Sequence, residues 1–156
     1  MKLKFTIPGE YGGGESGDYL MPLAIQLRKI IEANVSGDYL KTIQEFCLIL
    51  RVSGPITDYK GDGPESMRYV KKSHYIKIDL VIPESKWKNQ SPDTIKEYFC
   101  EGITKCFYLM IERAEKNGEL IDKQGLIDDF EKSMTVFRSA KQPPPHVSAH
   151  TKVFQQ

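Results

Sequence analysis

Two stretches with strict two-residue periodicity constrain this chain most. In Glu45–Val52, Phe46, Leu48, Leu50 and Val52 alternate with Glu45, Cys47, Ile49 and Arg51. In His74–Ile82, the set His74, Ile76, Ile78, Leu80 and Ile82 alternates with Tyr75, Lys77, Asp79 and Val81. Successive side chains of a strand point to opposite faces, so both stretches predict long strands with one covered face and one wetter face. The connection between them, from Gly54-Pro55 to Gly63-Pro64, is full of turn formers, and Met67–Ser73 reads as an extension of the second strand. The simplest arrangement is an antiparallel hairpin with a long loop.

The flanking segments supply the cover for that sheet. Lys2–Ile7 alternates as a short strand, with Leu3, Phe5 and Ile7 on one side. A helix is predicted from about Asp18, an N-capping residue, to Asn34, with Pro22 in its first turn. Its Leu20, Leu23, Ala24, Leu27, Ile30 and Ile31 follow the spacing of a core-facing stripe. Ser91-Pro92-Asp93 is a helix start, and Asn117-Gly118 a helix stop. Between them Ile95, Phe99, Ile103, Cys106, Met110 and Ala114 form a buried stripe, with Gly102 allowing close packing. A last helix, Asp122–Arg138, buries Leu126, Ile127, Phe130, Met134 and Phe137. The order β-α-β-β-α-α predicts an α+β domain, a small, mainly antiparallel sheet with helices on one face. The first strand is expected parallel to the second, with the third between them. The domain is expected to span residues 1–138. Residues 139–156, which include Gln142-Pro143-Pro144-Pro145-His146, read as a proline-rich flexible tail.

Bulk properties exclude several classes. A chain of 156 residues suits one domain. With 22 basic and 21 acidic residues it lacks the basic excess of a general nucleic-acid or membrane-surface binder. No apolar run nears the roughly 18 residues a membrane span needs, and Met1–Phe5 is no signal peptide, so the cytoplasm is the expected compartment. The three cysteines Cys47, Cys100 and Cys106 are odd in number and fall on predicted strand or helix, where buried free thiols are expected.

Motifs for chemistry are weak. Gly9–Gly17 is glycine-rich between a strand and a helix, but has neither phosphate-loop spacing and carries Glu10 and Glu15. Asp58 and Asp62 beside Gly61 and Gly63 lack calcium-loop spacing. His74 at the end of an apolar face reads as a border histidine, and Trp87, between Lys86 and Lys88, as an anchor where the chain leaves the sheet. A Cys/His enzyme would need His74 near one of the thiols with a third group orienting it, and no spacing supports that. The layout also opens RNA-recognition domains, yet Tyr75 is the one candidate stacking residue on the open face. A small nucleic-acid adaptor built on Arg68, Lys71, Lys72 and Lys77 remains the alternative reading. No catalytic residue, metal ligand or cofactor site is indicated.

Another likeness fits more of the chain. It lies in the short strand running into Gly9-Glu10, the amphipathic helix Leu20–Asn34, and the long strand pair up to Ile78-Asp79-Leu80. Trp87 before a helix rich in Ile, Phe and Leu, and the acidic last helix from Asp122 to Phe130, complete it. In these features the sequence resembles the small cytoplasmic immunity proteins of bacterial polymorphic toxin systems, most closely the family numbered forty-four. The likeness covers about residues 1–137. The chain departs from the pattern at Tyr11–Gly17, in the linker before Tyr39 and in the proline-rich tail. The resemblance implies a non-enzymatic protein that binds a cognate toxin domain, by covering or distorting the toxin's active site, without cofactor or membrane.

The residues expected to carry that contact follow from charge. Residues 91–131 hold five basic and ten acidic side chains. Glu119, Asp122, Asp128, Asp129 and Glu131 cluster at and after the predicted helix stop, and would complement a toxin surface that grips phosphates. Glu10, Tyr11 and Glu15 in the glycine-rich loop, and Asp58, Tyr59 and Asp62 in the long loop, are expected to extend the same surface, with Tyr11 and Tyr59 as anchors.

Overall fold

The computed structural model describes residues 2–6, 14–53, 63–70 and 75–141. Four strands, β1 (Lys2–Thr6), β2 (Glu45–Ser53), β3 (Gly63–Val70) and β4 (Tyr75–Pro83), form one sheet in the order β1-β2-β4-β3. Three helices accompany it: α1 (Gly14–Asn34), α2 (Pro92–Lys116) and α3 (Lys123–Ser139). The α+β character stands, but the sheet is mixed. β1 pairs with β2 in parallel, β2 with β4 in parallel, and only β3 runs antiparallel to β4.

The expected hairpin is therefore corrected. The two strongly alternating stretches do lie side by side, with Phe46 opposite Ile76 and Leu48 opposite Ile78, but they run the same way. The reason is the extra strand, β3, within residues read as loop and strand extension. It runs back along the sheet, antiparallel to β4, and β4 lies between β2 and β3. β3 carries Pro64 and a register shift between Pro64 and Ser66. Both are tolerated, and even protective, on an edge strand. The expected strand order is corrected as well: β1 is parallel to β2, as expected, but adjoins it directly, with β4 on β2's other side.

Among the described side chains, one face of the sheet is covered. Phe46, Leu48, Ile76, Ile78 and Leu80 are buried, whereas their strand neighbours Cys47, Tyr75 and Lys77 are half-exposed. α1 packs beside β1, and α2 beneath β3 and β4. At Gly102 the missing side chain admits Leu80, since a Cβ there would lie 3.0 Å from its Cδ2. α3 packs on α1 and α2. Phe107 of α2 ties the layers together. It meets Phe46 of the sheet edge-on at 5.3 Å and stacks on Phe130 of α3 at 3.9 Å between centroids.

Helix ends follow their local chemistry. Ser91 caps α2, accepting from the Thr94 N–H at 3.1 Å. α2 stops at Gly118, whose φ of +69° costs a glycine nothing. The Gly118 N–H reaches the Glu115 carbonyl, and the Glu119 N–H the Ala114 carbonyl. Asp122 caps α3 by accepting from the Gly125 N–H at 2.9 Å. The other end of α3 is closed by Lys96, 7% exposed, which donates to the Ala140 carbonyl at 2.9 Å and lies over the Phe137 ring.

α1 starts at Gly14, a turn before the expected Asp18, so Pro22 sits inside the helix and the Asp18 carbonyl loses that donor. The described residues continue past residue 138, to residue 141. Ser139 closes α3, and the Lys141 carbonyl accepts from Gln26 at 3.0 Å. Residues 142–156, most of the expected tail, lie outside the described residues. Among the described residues no helix is long and apolar enough to cross a membrane.

Candidate functional site

The stop of α2 places Glu119 against the segment that leads from α1 into β2. There, residues 39–41 and 119–121 form a single antiparallel step. The Ile121 N–H donates to the Tyr39 carbonyl at 2.7 Å, the Lys41 N–H to the Glu119 carbonyl at 2.8 Å, and Leu40 sits opposite Leu120. The Glu119 carboxylate, 4% exposed, accepts from the Thr42 N–H at 3.0 Å and from the Thr42 hydroxyl. A charged group is buried here because donors meet it, not because it faces a partner.

Tyr39 is the second pin. Its ring is buried and its hydroxyl donates to the Asp129 carboxylate of α3. Burial and that carboxylate both push the phenol above its ordinary pKa, against a smaller opposite pull from the Gly37 backbone. Gly37 is required by this packing, because a Cβ there would come within 2.8 Å of the Tyr39 ring. Beside the pinned segment lies a groove of about 280 Å³ lined by residues 37–41, Ile43 and Gln44.

The expected contact residues therefore divide into groups. Glu119 is buried and structural, which corrects its placement on an open acidic surface. Asp129, expected on the same toxin-facing surface, is half-buried, with its carboxylate taken up by the Tyr39 hydroxyl. Asp122, Asp128 and Glu131 are exposed. Asp122 caps α3, Asp128 accepts from Gln124 at 2.8 Å, and Glu131 accepts from the Tyr108 hydroxyl of α2. That bond, followed by burial, pushes the Tyr108 phenol up to about 12. Ion pairs Lys123–Glu115 at 2.7 Å and Arg138–Glu97 at 3.6 Å flank the same helix pair. Glu15 lies in the first turn of α1 rather than in a loop. Glu10, Tyr11, Asp58, Tyr59 and Asp62 lie outside the described residues, as do His74, Lys71 and Lys72.

Sequence reasoning missed Tyr39, Thr42 and Tyr108. Tyr39 and Thr42 sat in what read as a plain lead-in to β2. Tyr108 is two positions from Met110, but its offset from the stripe residues Phe99 and Ile103 places it at the stripe's margin, where a phenol stays half-exposed and reaches a neighbouring helix.

The thiols are poorly placed for chemistry. Cys100 and Cys106 are fully buried, and burial pushes their pKa up to about 11 and about 12, so both stay protonated at neutral pH. Cys47 is half-buried on the open face, with its Sγ 2.9 Å from the Glu45 carboxylate. Among the described residues no three His, Cys, Asp or Glu side chains gather as a metal would need.

The site available is thus a surface: the turn between α2 and α3, the exposed acids of α3, and the groove along residues 37–44. Comparison with known proteins gives one match. A family model described as Immunity protein 44 covers residues 1–136. No curated protein and no solved structure matches.

Proposed function

The chain belongs to the Immunity protein 44 family, and from that premise we propose that it is a cytoplasmic, non-catalytic protein that binds and neutralises a cognate bacterial toxin domain. The match over residues 1–136 carries the reading. Two features support it. Asp122, Asp128 and Glu131 are exposed along the first half of α3, with Lys123 and Lys132 beside them. Two of the three thiols are sealed in the core. An acidic surface of this kind accelerates encounter with a basic toxin and disfavours wrong partners. The loop residues Glu10, Tyr11, Asp58, Tyr59 and Asp62 are proposed to join this contact.

The experiment is co-expression with the toxin module encoded beside the gene. Growth is expected to be rescued, and the two proteins to co-purify in a stoichiometric complex. Growth arrest unaffected by the protein, with no complex detected, would rule the reading out.

One observation favours a second reading, the nucleic-acid adaptor. The register puts Lys4, Cys47, Lys77 and Arg68 in one row across the four strands. In that row Lys77 and Cys47 are half-exposed, on the face away from the covered one. Anisotropy titrations with labelled single-stranded oligonucleotides decide it: salt-sensitive binding lost in Lys77→Glu would favour the adaptor.

A further inference from the structure

The face of the sheet turned away from the helices carries an unbalanced row of charge. The register sets Lys4 beside Cys47, Cys47 beside Lys77, and Lys77 opposite Arg68. Opposed residues share a face and neighbouring strands lie about 4.8 Å apart, so the row crosses all four strands over about 14 Å. Its positions other than Cys47 are cationic, and none is acidic. Lys77 and Arg68 are directly opposed in the antiparallel pair of β3 and β4, an arrangement in which like charges cost stability. Lys77 is half-buried, and among the described residues it has no ion pair or hydrogen bond. Glu45, one row away, has its carboxylate 2.9 Å from the Cys47 Sγ rather than on Lys77. Local rules are broken mostly at sites that serve function, and here the missing component is negative charge.

The surroundings decide what kind of anion fits. On the open face the next rows to either side hold Glu45, opposite Tyr75, and Asp79, opposite Ile49. A nucleic-acid strand brings continuous phosphate charge and stacks its bases on several aromatics. Laid over this face it would meet both acids, and Tyr75 is the one aromatic that the register places there. The whole chain, at +1, adds no general attraction for phosphate. Discrete carboxylates on a protein segment can be set against the row and clear of the flanking acids. Tyr75, half-exposed one row along, offers such a segment contact area.

We propose that the open face of the sheet docks a carboxylate-bearing segment of the toxin, seated on the row of Lys4, Lys77 and Arg68 with one carboxylate between Lys77 and Arg68. This rests on the toxin-binding reading and assigns it a contact face. The helices pack on the other side of the sheet, so this contact is independent of the acids of α3. Seating a carboxylate turns the opposed cations from a cost in the free protein into a gain in the complex.

The test uses the whole protein and the toxin module encoded beside its gene. Affinity for the module and the urea midpoint of the free protein are measured for wild type, Lys77→Glu, Lys77→Met and, as a control at an exposed position of α1, Lys29→Glu. Lys77→Glu replaces a like-charge pair by an opposite-charge one. The free protein is therefore expected to keep or raise its midpoint while binding weakens about ten-fold or more. Lys77→Met, which keeps the apolar stem, should weaken binding about three-fold or more, and it decides alone if the reversal lowers the midpoint. Lys29→Glu makes the same change in net charge and should bind within about two-fold of wild type. A wild-type complex in which both Lys77 variants bind like wild type, or in which the control loses as much affinity as they do, overturns the sheet contact while leaving the toxin-binding reading in place. Unchanged toxin affinity with lost binding of a labelled single-stranded oligonucleotide would give the face to nucleic acid instead. No complex with wild-type protein removes both the contact and the reading it rests on.

Discussion

The Glu119 carboxylate accepts both hydrogen bonds that Thr42 can donate, the main-chain N–H at 3.0 Å and the side-chain hydroxyl. Seventy-seven positions separate the two residues, so the pair closes the α1–β2 connection onto the α2–α3 turn. Thr42→Val removes one donor and leaves the buried carboxylate short of a partner. The expected loss of stability is about 1–3 kcal/mol, read as a lower urea midpoint at unchanged slope. Glu119→Gln sets an amide N–H against a donor, and should cost at least as much. A loss below about half a kcal/mol for both would mean that the contact contributes nothing net.

Phe107 is the residue on which sheet and helices converge, stacked on Phe130 and edge-on to Phe46. Phe107→Ala opens a cavity between layers that cannot close without moving two other rings. A loss of about 3–5 kcal/mol is expected. Val136→Ala, at a side chain 42% exposed on α3, should stay within about half a kcal/mol.

The three thiols should separate by accessibility. At pH 8 a thiol reagent is expected to modify Cys47 in the native protein, and Cys100 and Cys106 only after unfolding. Rapid reaction of all three in the folded state would contradict the packing of α2.

How much of this was legible in the sequence depends on the kind of information. The helix faces were, because Leu27, Ile103 and Phe130 recur at helical spacing and all three are buried. So was the apolar sheet face of Leu48, Ile76 and Ile78. Strand direction was not, since alternation is the same whichever way a strand runs. Only β3 distinguishes the two arrangements, and its Gly63 and Pro64 mimic turn residues. The site was half legible for a similar reason. Composition located the acids after Asn117-Gly118, but charge alone does not say whether a carboxylate meets a partner or a threonine. Glu119 and Asp129 are satisfied by Thr42 and Tyr39, which lie about eighty to ninety residues upstream, a pairing that only the fold brings about.

Alkaline pH should loosen the helix layer. Tyr108 is pushed up to about 12 by its bond to Glu131, and Cys100 and Cys106 to about 11 and about 12 by burial. A group whose folded pKa is raised stabilises fully below its ordinary value and loses that contribution as pH climbs through the raised one. The ordinary values are 9.0 for the thiols and 10.0 for tyrosine. With respect to these groups stability is therefore expected to hold below about pH 9 and to fall between about 9 and about 12. Urea midpoints at stepped pH measure this, and Tyr108→Phe should blunt the upper part of the fall.

The acidic residues of α3 make unequal tests of recognition, and the structure ranks them. Reversing Asp129 or Glu119 breaks bonds to Tyr39 or Thr42, and reversing Asp122 removes the cap of α3, so lost binding there would report lost structure. Asp128 is exposed, and its bond to Gln124 lies within one helix turn. Asp128→Lys therefore changes the surface potential with little change in fold. If the acidic face guides a basic toxin, the association rate should drop about three- to ten-fold at low salt, and the difference should shrink as ionic strength rises towards physiological, where the Debye length is about 8 Å. Dissociation should change less, because steering acts on the encounter rather than on the docked pair. Stopped-flow association at two salt concentrations measures the effect. Equal rates for wild type and Asp128→Lys at both would reduce this face of α3 to a solvated helix surface. Recognition would then rest on the row of Lys4, Lys77 and Arg68 across the sheet.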